Sequence, residues 1–195
     1  MGGEAPRQNR ALHQFPNRSR MTGQQEHFND LTHYQGLTSQ HLVSLSLMSA
    51  FSDEVYYLLA EAGWYAGRQV ATDSYQQETQ QLQLSWLPPA AAFLSEFGGL
   101  HCYFTRQDHS IASVQFEVQG SAALLSLPRL RHEYEPLVPG QALSIVGHAY
   151  ADPLCLLVAG DGSFYGACEE GLYYIAASAP QALEAILLDL PFQHL

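Results

Sequence analysis

Apolar residues first recur with a helical period just after Ser52. Val55, Leu58, Leu59 and Ala62 stand at i, i+3, i+4 and i+7, a stripe that predicts one core-facing helix side. Ser52 can cap that helix, Asp53 and Glu54 suit the positive end of its dipole, and Gly63 suits a left-handed stop. A second helix is expected from about Ser74 to Leu84, with Tyr75, Thr79 and Leu82, extending toward Trp86, on one face. Gln76, Gln77, Glu78, Gln80 and Gln81 then face water. Pro88 and Pro89 open a third helix, because proline is tolerated in a first turn. Its apolar side is Ala90, Phe93, Leu94 and Phe97, and Gly98-Gly99 ends it.

Beyond residue 99 the period shortens toward two. Val114, Phe116 and Val118 alternate with Gln115, Glu117 and Gln119, the pattern of a half-buried strand. Leu154–Ala159 is almost continuously apolar and reads as a strand buried on both faces. Gly160-Asp161-Gly162-Ser163 supplies turn residues before an apolar run over 164–167, so a hairpin is expected there. Residues 172–177 form a further strand. Ser178 with Gln181 resembles a capping box before a closing helix whose face is Leu183, Ile186, Leu187 and Leu190. Helices, then an antiparallel meander, then one helix predict an α+β fold, with an antiparallel or mixed sheet of about five or six strands.

Residues 1–40 are rich in Gln, Asn, Arg, His and Gly and show no apolar period. A flexible extension is therefore expected over 1–47 and a folded domain over 48–195. Met48, immediately before the ordered pattern, and Met21 are alternative translation starts.

Charge narrows the partner. The chain of 195 residues has 19 acids and 8 bases, a formal charge of −11, and every base is arginine. Without lysine there is no Schiff-base lysine and no P-loop lysine. Residues 51–195 hold four arginines against sixteen acids, a body that repels a phosphate backbone, so no direct nucleic-acid binding is expected. Its natural soluble partners are cationic proteins, although the charge also serves solubility. No run reaches the roughly 18 apolar residues needed to span a bilayer. The best stretch, Leu42 to Phe51, is interrupted by Ser44, Ser46 and Ser49, so no membrane partner is expected. Cys102, Cys155 and Cys168 form no CxxC pair and leave an odd count, which fits reduced, mostly buried thiols in a cytoplasm.

Candidate chemistry is sparse. None of the nine histidines forms HxxxH or HExxH, and His101 and Cys102, adjacent on a strand, point to opposite faces and cannot easily share one ion. Cys155 and Cys168 sit in apolar or small-residue patterns and read as core fillers. Asp161-Gly162 lacks the alternating acids and distal Glu of a calcium loop and is accounted for by a turn. No nucleophile elbow, Walker, dinucleotide or kinase signature occurs. No catalytic residue, metal or cofactor is expected.

Four segments together, AGWYAGR at 62–68, AAAFLSEFGGL at 90–100, PLVPGQALSIVGHAYADP at 136–153 and LLVAGDGSFYG at 156–166, resemble the third subgroup of the SUKH superfamily of immunity proteins. The resemblance spans about residues 52–190, and Trp64, Gly67, Arg68, Phe97, Gly98, Gly99, Leu100, Gly147, Asp161 and Gly162 occupy the motif positions. Val146-Gly147 replaces a more usual Ile-Gly step, and the N-terminal extension is additional. The resemblance implies an α+β fold, no catalysis, and stoichiometric binding of a cognate bacterial toxin, often a cationic nuclease or deaminase. Occlusion of the toxin's groove by an acidic face is the expected mechanism. Asp108, Glu117, Glu133, Glu135, Asp161, Glu169 and Glu170, exposed acids of loops and hairpins, are the expected contacts. Trp64 and Arg68 are expected to lock a junction between elements. The alternatives are an intracellular protein-binding or scaffold module of the same fold and, third, a small hydrolase.

Overall fold

The computed structural model describes residues 50–195 other than 139, 141 and 152; the extension expected over 1–47 lies outside the described residues. Helix α1 (Asp53–Glu61) starts where the pattern places it, with Ser52 Oγ accepting the Val55 N–H at 3.4 Å and two acids in the first turn. Val55 and Leu59 are buried, and Leu58 and Ala62 are half-buried at the flanks of the stripe. Helix α2 (Asp73–Gln81) is shorter than expected. Gln83 turns left-handed at φ 57, which stops the helix before Leu84 and leaves Leu82 exposed rather than on the buried face. Helix α3 (Pro88–Phe97) buries Ala90, Phe93, Leu94 and Phe97.

The chain then forms an antiparallel sheet whose strands lie side by side in chain order: β1 (His101–Thr105), β2 (Ile111–Gln115), β3 (Leu143–Ala149), β4 (Leu154–Ala159), β5 (Phe164–Cys168), β6 (Gly171–Ala176) and β7 (Gln193–His194). This is the α+β fold the pattern predicts, with seven strands among the described residues instead of five or six. The additional β7 is a two-residue strand on Tyr173 and Tyr174. Every residue of β4 is buried, as its continuous apolar run requires.

The strand expected through Val118 stops at Gln115. Burial still alternates, with Phe116 and Val118 inside. However, Phe116 exchanges backbone hydrogen bonds with Gly99 and Leu100, and Val118 adopts helical dihedrals that lead into helix α4 (Gln119–Ala122). Consequently β2 meets β3 over two residue pairs, Val114 with Ala149 and Gln115 with His148. The crossover continues through helix α5 (Leu127–Arg129), a π turn over Leu130–Tyr134 and a 3-10 turn over Glu135–Leu137, none of which the periodicity marks. Helix α6 (Ala179–Leu187) begins after Ser178, but the Ser178 side chain makes no capping bond, so the expected capping box does not form. Asp189 turns left-handed at φ 50 and ends the helical path, leaving Leu190 exposed instead of in the apolar face.

Helices α1, α3 and α6 cover one face of the sheet and share a core with Val114, Val146, Leu156, Val158 and Phe164. The crossover covers the other face, packing Leu130, Tyr134 and Val138 over Ile145, Leu157 and Tyr165. That second cover does not bury the outer side of the β1–β2 hairpin, where Tyr103 and Ile111 are exposed.

Candidate protein-binding groove

In an antiparallel meander alternate turns fall at the same end of the sheet. The β1–β2, β3–β4 and β5–β6 turns therefore share one end, and the β4–β5 turn lies at the other. At the shared end, the crossover and the segment after α6 complete a groove of about 950 Å³. Arg106, Arg129, Tyr150, Tyr173, Glu169 and Glu170 line it, with Leu124 and Leu190 as aliphatic members.

Its charged groups are held by short chains of contacts. Arg106 Nε donates to Asp189 at 3.2 Å while its guanidinium lies 5.2 Å from the centroid of the Tyr150 ring. Asp189 also accepts the Gln107 N–H, and Gln107 Nε2 donates to the Asp189 carbonyl, so the β1–β2 turn is tied to the segment after α6. Burial, with Asp189 adding to it, pushes the Tyr150 phenol upward and keeps it neutral. Arg129 Nε donates to Glu133 at 3.0 Å, its Nη2 donates to the Glu169 carbonyl at 2.7 Å, and Tyr134 Oη donates to the Cys168 carbonyl. These bonds fix the crossover against the β5–β6 turn.

The motif residues AGWYAGR and FGGL meet elsewhere, at the end of α3. Trp64 Nε1 donates to Glu96 Oε1 at 3.1 Å, and the Arg68 guanidinium donates to the Glu96 and Gly98 carbonyls, the latter at 2.9 Å. A cation on the last carbonyls of a helix suits the negative end of its dipole. Gly98 packs so closely on the Leu94 carbonyl and Tyr75 that a Cβ would stand 2.8 Å from Tyr75 Cε2. Gly67 and Gly99 occupy left-handed turns, Leu100 and Phe97 are buried, and Gly147 sits in β3 against β2.

Residues 51–189 match the profile of the SUKH-3 immunity proteins, described as "SUKH-3 immunity protein". The chain belongs to the SUKH-3 immunity protein family. No curated protein and no solved structure matches it. Membership of the SUKH-3 family makes the recognition of another protein the first question to put to the surface. No helix among the described residues is long and apolar enough to cross a membrane.

The seven acids expected as contacts do not form one face. Glu169 and Glu170 line the groove, Glu133 lies beside it through Arg129, and Asp108 sits in the β1–β2 turn at the same end, where it accepts from Ser110. Asp161, with Gly162 in the β4–β5 turn, is at the opposite end and accepts the Ser163 N–H. Glu117 and Glu135 are half-buried instead of exposed. Glu117 is drawn toward His148, 3.9 Å away, and Glu135 Oε1 accepts the Leu143 N–H at 3.3 Å. No periodicity or motif in the chain singles out Arg106, Arg129, Tyr150 or Tyr173 as groove residues. Scarcity is a signal that could have drawn attention to the two arginines, since residues 51–195 contain only four.

Two groupings resemble catalytic sites, and their geometry argues against that use. Ser121 Oγ lies 2.9 Å from His148 Nδ1, and Glu117 is directed at the same nitrogen. A relay needs the acid and the nucleophile on opposite ring nitrogens, and Ser121 is fully buried. The thiols are held protonated. Burial pushes Cys102 up to about 11 and Cys155 up to about 12, the wrong direction for a nucleophile. Cys168 is half-exposed rather than a core filler and donates to Glu170 Oε2 at 2.8 Å, and burial together with that bond raises it as well. His101 and Cys102 face opposite sides of β1, and no cluster of metal-ligating side chains occurs among the described residues.

The thiols make a direct test of this packing. A disulfide reagent such as DTNB at pH 8 is expected to label Cys168 slowly in the folded chain and Cys102 and Cys155 only after urea unfolding. Cys168→Ser is expected to remove the labelling of the folded state. Rapid native labelling of Cys155 would contradict the burial of β4.

Proposed function

We propose that this chain neutralises a cognate bacterial toxin by stoichiometric binding, that the toxin is cationic, and that a nuclease or deaminase whose substrate groove it plugs fits best. The excess of negative charge on the exterior carries the reading. Four arginines accompany sixteen acids in residues 51–195, and bonds from these guanidiniums to backbone carbonyls hold them in place without changing their charge. Arg68 is bound to the Glu96 and Gly98 carbonyls, and Arg131 Nη2 donates to the Gln83 carbonyl. Among the described residues, arginine ion pairs engage only Asp189 and Glu133. The field that remains attracts a basic protein and repels the nucleic acid that such a protein would otherwise bind.

The immunity class supports function by binding without turnover. Where a neighbouring gene encodes a toxin, growth of cells making it is expected to be rescued by co-expression of the chain. Association of the purified pair is expected to slow about tenfold or more as salt rises from 50 mM to 0.5 M. An unchanged association rate would overturn charge steering, and failure of rescue would overturn the immunity reading. Turnover of ester or nucleotide substrates by the chain would revive the hydrolase.

A further inference from the structure

We propose that the groove at the shared end of the sheet is the docking site for a loop of the toxin that presents an arginine or lysine beside an aliphatic side chain. The inference rests on the immunity reading and assigns it a place. Charge within the groove argues for the cation. Arg106 is ion-paired to Asp189 and Arg129 to Glu133, so that Glu169 and Glu170 form no arginine ion pair among the described residues, and Arg129, which also lies near them, is one cation shared among three carboxylates. Glu170 accepts the Cys168 thiol, and that contact leaves its charge in place.

Shape and composition argue for the rest of the occupant. Leu124 and Leu190 enter the groove from the crossover and from the segment after α6, and they are 42% and 44% exposed. Exposed leucines facing a common groove are the surface that an aliphatic neighbour would dry. Tyr173 offers a ring wall to the stem of a long cationic side chain, whereas the Tyr150 ring is taken by the Arg106 guanidinium and directs the cation toward the Glu169–Glu170 side. An acidic loop would meet Glu169 and Glu170 head-on. A purely apolar loop would strip water from the same two carboxylates without replacing it. A loop with a basic and an aliphatic side chain satisfies both parts of the groove.

The test uses the full chain and two dipeptide probes, acetyl-Leu-Arg-amide and acetyl-Leu-Glu-amide, followed by amide resonance shifts. The arginyl probe is expected to shift Leu124, Ala151, Glu170 and Tyr173 selectively and to bind at least fivefold more tightly than the glutamyl probe. The exposed, isosteric pair Glu169→Gln and Glu170→Gln is expected to abolish that preference while leaving the fold intact. Shifts spread evenly over the acidic exterior, or equal binding of the two probes, would overturn the site.

Growth rescue separates the site from the function beneath it. If the unmodified chain rescues cells and E169Q/E170Q with Leu190→Ser loses at least tenfold in toxin affinity, both stand. If the altered chain binds toxin as tightly as the original, the groove is overturned and the immunity reading survives. If the unmodified chain fails to rescue, the immunity reading falls and takes the toxin loop with it, whatever the dipeptides show.

Discussion

Trp64→Ala is expected to lower the unfolding free energy by about 3–5 kcal/mol, the cost typical of removing a large buried aromatic side chain. Trp64 is 3% exposed and stacks on Phe97, 6.2 Å between ring centroids at an interplanar angle of 6°. Phe51 and Tyr56 meet it edge-on at 5.6 and 5.7 Å. Its removal thus opens a hole where α1, the AGWYAGR turn and α3 converge, and leaves the Glu96 carboxylate without the indole donor. Trp64→Phe keeps most of the ring volume and loses the hydrogen bond. It is expected to cost about 2–3 kcal/mol, the range for one hydrogen bond to a charged group plus a small packing loss. Urea unfolding of the two variants measures both. Equal losses would mean that the hydrogen bond, rather than the packing, carries the contribution of Trp64.

Gly147→Ala is expected to destabilise by about 1–3 kcal/mol, the range for forcing extra atoms into a tight core. A Cβ at this position would collide with the Gln115 carbonyl and stand 3.2 Å from Phe116 Cα. Those neighbours are backbone atoms, which cannot rotate away as the tip of a side chain can. Gly147 also follows the irregularity in β3, where the pairing with β4 shifts register between Ile145 and Gly147. The missing side chain lets β2 approach β3 closely. A midpoint of urea unfolding within error of the original would show that the strand yields at no cost. A change in slope as well would show that the unfolded or native ensemble had changed.

Regular amphipathic segments were legible in the sequence, and irregular ones were not. Val55 and Leu59, or Phe93 and Phe97, repeat at helical spacing because one helix face meets one core, and β4 reads as continuously apolar because both of its faces are covered. The crossover over residues 119–137 has no such repeat. Its pieces are three to five residues long, and each is placed by a contact distant in sequence, as Tyr134 is by the Cys168 carbonyl and Arg129 by Glu169. The ends of α2 and α6 are illegible for a related reason, whereas Gly63 and Gly98-Gly99 mark the ends of α1 and α3. Nothing local announces that Gln83 and Asp189 will adopt left-handed backbone conformations, and those two residues decide whether Leu82 and Leu190 are inside or out.

The groove shows the same division. Glu169 and Glu170 could be singled out as turn acids, and both line it. Asp161 has the same local character but falls at the opposite end, because strand count and direction place a turn and its own residues do not. Arg106 and Asp189 are far apart in the sequence, and only the packing of α6 across the open sheet brings them together. The SUKH resemblance, by contrast, was carried by ordered motif segments and was legible from the chain alone.

The two-pair junction between β2 and β3 gives the fold an uneven cooperativity. Elsewhere from β1 to β6, neighbouring strands share four or more pairs, and here two pairs, with the Tyr150 N–H donating to the Ser113 carbonyl just beyond them, join the first hairpin to the rest of the sheet. Protection of amides from solvent exchange should therefore step down across this seam, with the β1–β2 hairpin opening as a sub-global unit while β3 to β6 stay closed. The Arg106–Asp189 clasp, which ties the tip of that hairpin to the segment after α6, then acts as the second hinge pin. Opening the hairpin would release one wall of the groove without unfolding the body that carries the others.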